Sequence, residues 1–82
     1  MINLEVKTSL AVEEVSNRIK KAFGKEGLGL ELVEDSADCL NFQGSGGFVN
    51  AVVCTEKGKT KIELSSQEWD KQVKEFASGL PR

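Results

Sequence analysis

The chain has 82 residues, which predicts one domain spanning residues 1–82 with a single small core. Its 13 acidic and 11 basic residues leave a net charge of -2, which argues against a nucleic-acid binder held by a basic face. The sequence contains no histidine and no tyrosine, so the commonest general base and a common metal ligand are both missing. We therefore expect a protein that is not an enzyme, with no catalytic residues, no cofactor and no metal.

The distribution of apolar residues also bears on location. No apolar run approaches the ~20 residues that a membrane-spanning helix needs. Residues 2–7 alternate in polarity and do not resemble the apolar centre of a signal peptide. We expect a cytoplasmic protein that does not enter a membrane.

The first third of the chain predicts a strand followed by a helix. Apolar and polar residues alternate over residues 2–7, as in a half-buried strand. Apolar residues then recur at helical spacing, at Val12, Val15, Ile19, Ala22 and Phe23. We expect Thr8 or Ser9 to cap this helix and Gly24 to end it in the left-handed conformation.

The middle of the chain predicts four further strands with apolar residues at alternate positions. The second strand is expected over residues 28–33, because leucines alternate there with other residues. The later strands are expected around residues 39–43, 49–53 and 60–64. Short polar or glycine-rich segments between them predict antiparallel hairpins.

Two hairpin registers follow from the requirement that apolar residues share one face. Placing Gln43 opposite Phe48 across the loop at residues 44–47 brings the apolar residues of both strands to the same side. Placing Glu56 opposite Lys59 across a two-residue turn does the same for the next hairpin. A slip of one residue would separate these apolar sets.

The last segment predicts a capped amphipathic helix. Ser65 and Glu68 have the spacing of a capping box, and Gly79 is typical of a helix end. The buried stripe is expected to contain Trp69, Val73, Phe76 and Ala77. The full order, β-α-β-β-β-β-α, predicts an α+β two-layer sandwich. Its five-stranded antiparallel sheet would carry both helices on one face, with the first strand beside the fifth.

This order of elements resembles the helix-grip folds of START-type and pollen-allergen-type lipid-binding domains. Residues 60–64 running into a helix at 69–76, and residues 5–15 at the start, are similar to the corresponding segments of those domains. The resemblance implies a carrier of a small apolar ligand beneath the C-terminal helix. The candidate lining residues are Phe23, Phe42, Trp69, Val73 and Phe76. This chain is shorter and lacks the additional elements that wall off the cavity in such domains.

The same order also resembles one repeat of the TATA-box-binding protein. In that family the open face of the sheet grips DNA. Here the acidic balance argues against transferring this role, because only Lys57, Lys59 and Lys61 offer basic charge near the sheet. Likeness of fold does not carry function in either case.

The sheet face away from the helices provides the candidate interface. The predicted register displays six of its residues on one surface, namely Cys39, Asn41, Phe48, Asn50, Val52 and Cys54. Exposed apolar side chains there predict a homodimer stacked sheet to sheet, or another protein partner. The alternative is that twist and loops partly cover this surface and that it has no role.

Two function hypotheses remain open at this point. The first is a small non-enzymatic binding or assembly module that uses the open sheet face for self-association. The second is a reduced helix-grip carrier with an apolar ligand near Trp69, although this tryptophan also fits a core anchor. The two cysteines lie diagonally on adjacent predicted strands, beyond the usual reach of a disulfide, and fit reduced thiols.

Overall fold

The computed structural model describes residues 2–36, 38–44 and 46–81. Its elements are β1 (Ile2–Thr8), α1 (Val12–Phe23), β2 (Glu31–Asp35), β3 (Cys39–Gly44), β4 (Gly47–Glu56), β5 (Lys59–Gln67) and α2 (Asp70–Ser78). The strands form one antiparallel sheet in the order β1-β5-β4-β3-β2. The predicted α+β fold and the placement of the first strand beside the fifth are therefore confirmed.

Both predicted hairpin registers are confirmed. Gln43 lies opposite Phe48, and Glu56 lies opposite Lys59. The turn residues Lys57 and Gly58 have positive φ angles of 51° and 79°, as a two-residue hairpin turn with matching twist requires. The loop predicted at residues 44–47 is shorter than expected, because its first and last glycines belong to β3 and β4. Ser45 in that loop, like Ala37 before β3, lies outside the described residues.

The core lies on one face of the sheet, which we call the covered face. Its strand residues are at most 1% exposed and comprise Leu40, Phe42, Val49, Ala51, Val53, Ile62 and Leu64. Val15, Ile19 and Phe23 of α1 and Val73 of α2 belong to the same cluster. The Phe23 ring lies 6.1 Å from that of Phe42 and 5.3 Å from that of Phe76, between centroids. Both helices therefore pack on the covered face.

The second strand begins later than the prediction of residues 28–33, because the preceding segment closes the end of α1. The backbone N–H groups of residues 28–30 donate to carbonyl oxygens at the end of α1 and at Gly24. Gly24 itself is extended, with φ -79° and ψ -158°, so the predicted left-handed ending there is wrong. The positive φ of 80° occurs at Gly29 instead.

The predicted cap of the first helix is also wrong. Thr8 is the last residue of β1, and its hydroxyl donates a hydrogen bond to the carbonyl oxygen of Pro81. Ala11 occupies the N-cap position of α1 and makes no side-chain cap hydrogen bond. The threonine hydroxyl therefore anchors the C-terminal segment to the sheet, and its oxygen accepts a hydrogen bond from the Leu10 N–H ahead of the helix rather than from the helix itself.

The predicted capping box of the last helix does not form. Ser65 pairs within the sheet with Asn3 and Asn50, and β5 continues as far as Gln67. Glu68 then turns the chain with a φ of 78°, and Trp69 is the N-cap of α2. Sheet pairing on both sides of β5 has extended the strand through the residues that local sequence assigns to a helix start.

Candidate functional site

The face of the sheet opposite the helices, here called the open face, carries all six predicted interface residues. Cys39 lies opposite Val52, and Asn41 lies opposite Asn50. Phe48 and Cys54 follow at alternate positions of β4 and so point to the same side. The structure thus brings the predicted residues together on the adjacent strands β3 and β4.

The apolar part of the open face is smaller than the sequence suggests. Val52 is 37% exposed and Cys54 is exposed, whereas Phe48 and Cys39 are half-buried. Asn50 lies between Phe48 and Val52 along β4, so the two apolar side chains are separated by an amide. The open face is a polar surface with small apolar centres.

A row of polar side chains crosses all five strands of the open face. In strand order it comprises Asn3, Ser65, Asn50, Asn41 and Glu34. The Ser65 hydroxyl donates to Asn3 Oδ1, and Asn41 Nδ2 donates to Glu34 Oε1. We call this set the amide row. Sequence reasoning missed it, because its ends depend on the register between β1 and β5, which was not predicted, and on a bulge between β2 and β3.

The centre of the amide row has an unused hydrogen-bond acceptor. Asn50 Oδ1 is buried and has no hydrogen-bond partner among the residues that the structure describes. A buried acceptor without a donor costs about 1–3 kcal/mol. Because the atom is buried, a donor on a bound molecule would reach it only if the surrounding side chains moved apart.

One end of the open face carries a network of ion pairs around Lys61. Its Nζ lies 3.2 Å from Glu56 Oε2, 3.4 Å from Glu63 Oε1 and 3.6 Å from Glu5 Oε1. The hydrogen bond and the positive charge of Lys61 lower the pKa of Glu56, with a further contribution from Lys7. Glu56, in turn, raises the pKa of Lys61 above its ordinary value. The two groups therefore remain ionised at neutral pH.

The charges of the open face do not balance. Its strand positions carry five carboxylates, from Glu5, Glu31, Glu34, Glu56 and Glu63, and three ammonium groups, from Lys7, Lys59 and Lys61. The rest of the chain contains eight groups of each sign, so the net charge of -2 belongs to the open face. This concentration of negative charge on one face depends on the pairing of distant strands and was not expected from the sequence.

The two cysteines of the open face are both free thiols. Burial raises the pKa of Cys39, and the carboxylates of Glu34 and Asp38 raise it further. The thiol is therefore held in its protonated form, which is neither a good nucleophile nor a good metal ligand. In the part of the chain described, His, Cys, Asp and Glu form no group of three or more that could hold a metal.

The five candidate ligand-lining residues belong to the core or pack against it. Phe23, Phe42 and Val73 are at most 1% exposed, whereas Trp69 and Phe76 are half-buried and pack against the core. The Phe23 ring contacts two of the other rings, so these side chains fill space between the layers. Trp69 Nε1 is buried and has no hydrogen-bond partner within the described residues. Binding of an apolar ligand here remains a prediction.

Comparison of the sequence with protein-family models gives no match, and comparison with curated proteins finds no relative. The resemblances to helix-grip domains and to the TATA-box-binding protein therefore remain predictions based on the order of elements. Among the described residues, no helix is both long and apolar enough to span a membrane.

Proposed function

We propose that this protein is a small non-enzymatic binding or assembly module whose working surface is the open face. The observation that supports the proposal most directly is the exposure of Val52, at 37%, together with the half-buried Phe48 on a sheet face that neither α1 nor α2 covers. Small apolar centres inside a polar, charged rim are typical of protein interfaces. The same side chains are not needed to fill the core, which lies on the covered face.

The size of the open face limits the strength of binding. Five strands about 4.8 Å apart and about eight residues long at ~3.3 Å each give a face of about 500–600 Å². Specific interfaces bury about 800 Å² per partner on average. We therefore expect reversible association of modest affinity, made through the face as a whole.

Self-association is the form of assembly that needs no other molecule. Two stacked open faces would oppose one net negative surface to another, so screening by salt should strengthen the dimer. We expect sedimentation velocity at about 1 mM protein to show more dimer in about 0.5 M than in about 0.05 M NaCl. Val52→Asp should abolish that dimer, whereas Ala11→Asp, which adds the same charge before α1, should preserve it.

Two outcomes of that experiment would contradict self-association through the open face. A dimer unaffected by Val52→Asp would place the contact elsewhere on the molecule. A chain that stays monomeric under every condition would remove self-association through the open face. Binding of a different partner would then have to account for the exposed surface.

The carrier remains a second candidate because the buried Trp69 Nε1, at the edge of the core, has no hydrogen-bond partner among the residues described. A ligand with an acceptor group and an apolar body would bind between α2 and the sheet. Trp69 is the only tryptophan of the chain, so its emission reports on that site alone. Addition of a fatty acid or a sterol should shift the emission, and an unchanged spectrum would remove this candidate.

A further inference from the structure

We propose that the open face binds a cationic amphipathic helix of a partner protein in preference to a second copy of this chain. The inference rests on the proposed function of the open face and adds the chemistry of its occupant. Two observations support it, namely the charge of the face and the unpaired carboxylates at its β2 edge, and the spacing of groups along β4 is compatible with it.

The charged groups of the open face flank a neutral stripe. The adjacent strands β3 and β4 present amides, thiols and apolar groups between residues 39–43 and 48–54. Glu31 and Glu34 lie on the β2 side, and Glu63 lies on the β5 side. A partner segment bound along β4 would thus have carboxylates on both sides.

The two flanks differ in how far their carboxylates are neutralised. Glu63 shares Lys61 with two other carboxylates, as described above. No ion pair joins Glu31 or Glu34 to a cation within residues 2–36, 38–44 and 46–81. Glu34 instead accepts a hydrogen bond from Asn41. The β2 edge therefore offers two carboxylates to a lysine or arginine from outside.

The charge of the open face favours a cationic helix over a second copy of this chain. A second copy would bring its own excess of carboxylates to the face, and like charges in apposition oppose association. A helix with lysines on its flanks would instead place cations beside Glu31, Glu34 and Glu63. Association with such a helix should weaken as salt is added, which is the opposite of the dependence expected for a dimer.

The spacing of side chains along β4 is compatible with the spacing of successive turns of a helix lying along the strand. Phe48 and Asn50 are two residues apart and Phe48 and Val52 four, or about 6.6 and 13 Å at ~3.3 Å per residue. Helix positions i, i+4 and i+8 are separated by about 6 and 12 Å at 1.5 Å per residue. A helix parallel to β4 could place apolar residues on Phe48 and Val52 and a polar residue over the half-buried Asn50 side chain. The covered face already accommodates two amphipathic helices on the same strands.

A pair of synthetic peptides tests the inference. The first is an 18-residue amphipathic helix with one leucine stripe, an asparagine in the middle of that stripe and lysines on both flanks. The second is identical except that glutamates replace the lysines. We expect only the lysine peptide to shift the amide resonances of β3, β4 and β5 in the ¹⁵N-labelled protein. Its Kd should rise by about tenfold or more between about 0.05 and 0.5 M NaCl.

Matched variants separate a specific site from general attraction to an acidic protein. Glu31→Gln with Glu34→Gln should weaken binding of the lysine peptide by about five- to tenfold. Glu13→Gln with Glu26→Gln removes the same charge from exposed positions outside the open face and should change the Kd by less than about twofold. If the first pair impairs folding, Glu31→Gln alone should still weaken binding by about twofold.

Several results would overturn the inference. Equal effects of the two variant pairs, resonance shifts confined to the helices, or equal binding of both peptides would each show that the face does not recognise a cationic helix. A salt-strengthened dimer through the open face that the lysine peptide fails to displace would also overturn it, while leaving the proposed function intact. Loss of both dimer and peptide binding would remove the proposed function as well.

Discussion

The covered face and the open face are built from the same five strands but satisfy different requirements. On the covered face, aliphatic and aromatic side chains are buried against both helices. On the open face, amides form a row across the sheet, and charged groups outnumber apolar ones. The comparison separates residues that stabilise the fold from residues that are available for recognition.

Two neighbouring valines in β4 show the difference between the covered face and the open face at single residues. Val53 points into the core and is 1% exposed, whereas Val52 points to the open face and is 37% exposed. The strand alternates between the two faces, so a change of one position moves a side chain between these environments. Substitutions at such pairs can therefore test the division between the faces.

The largest difference is expected for alanine at these two valines. Val53→Ala should lower the free energy of unfolding by about 2–3 kcal/mol, because buried methyl groups are lost and a cavity remains. Val52→Ala should lower it by less than about 0.5 kcal/mol, as for most surface substitutions. Urea denaturation of the two variants measures both values. Similar losses for the two variants would mean that the open face also contributes to the core.

Adjacent serines in β5 should give a smaller difference and one of opposite sign. Ser66 is fully buried on the covered face, and its hydroxyl has no hydrogen-bond partner in the described part of the chain. Ser66→Ala should therefore stabilise the protein by about 1 kcal/mol. Ser65→Ala should destabilise it by about 0.5 kcal/mol, because the hydrogen bond to Asn3 Oδ1 is lost.

Thermal and urea unfolding of the two serine variants provide the measurement. A destabilising Ser66→Ala would show that the buried hydroxyl has a partner in solution, such as an ordered water molecule. In that case the covered face would contain a polar site as well as a core, and the contrast between the faces would be weaker.

The smallest effect is expected from the ion pairs of the open face. The folded-state pKa of Glu56 is lowered by Lys61, so its contribution to stability is present above the pKa of the unfolded chain. That contribution is lost as the pH falls through the lowered, folded-state pKa. Glu56→Gln should thus be slightly less stable than the parent at pH 7, and the gap should close in acid.

Urea titrations of the parent and of Glu56→Gln at pH 7 and at about pH 2 would measure that gap. High salt should shrink the gap at pH 7, because both partners are partly accessible to solvent and are screened by its ions. A gap that grew on acidification would contradict the lowered pKa of Glu56 in the folded state.

The hairpins were predictable from the sequence, and the helix starts were not. The pairing of Gln43 with Phe48 follows from local alternation and a short turn, which involve residues close in the chain. Ser65 and Glu68 have equally clear local spacing, yet pairing with β1 and β4 extends the strand to Gln67. Backbone hydrogen bonds to two neighbouring strands have overridden a capping preference worth about 1 kcal/mol.

The candidate site likewise has a part that could be predicted from the sequence and a part that could not. The six predicted residues of the open face lie on β3 and β4, which one short turn connects. The β1 and β2 residues that add to the face, namely Glu5, Lys7, Glu31 and Glu34, join it through pairings with β5 and β3. A bulge between Leu32 and Glu34 then places the Glu34 carboxylate beside Asn41.

The sequence by itself determined which side of each predicted strand is apolar, because alternation is a property of neighbouring residues and needs no knowledge of the partner strand. Tertiary structure alone decided which polar groups of β1 and β2 join those of the predicted hairpins on the other side. Asn3 and Ser65 are 62 positions apart, and no local pattern links them. The amide row, the unused acceptor of Asn50 and the negative charge of the open face exist only once distant strands have paired.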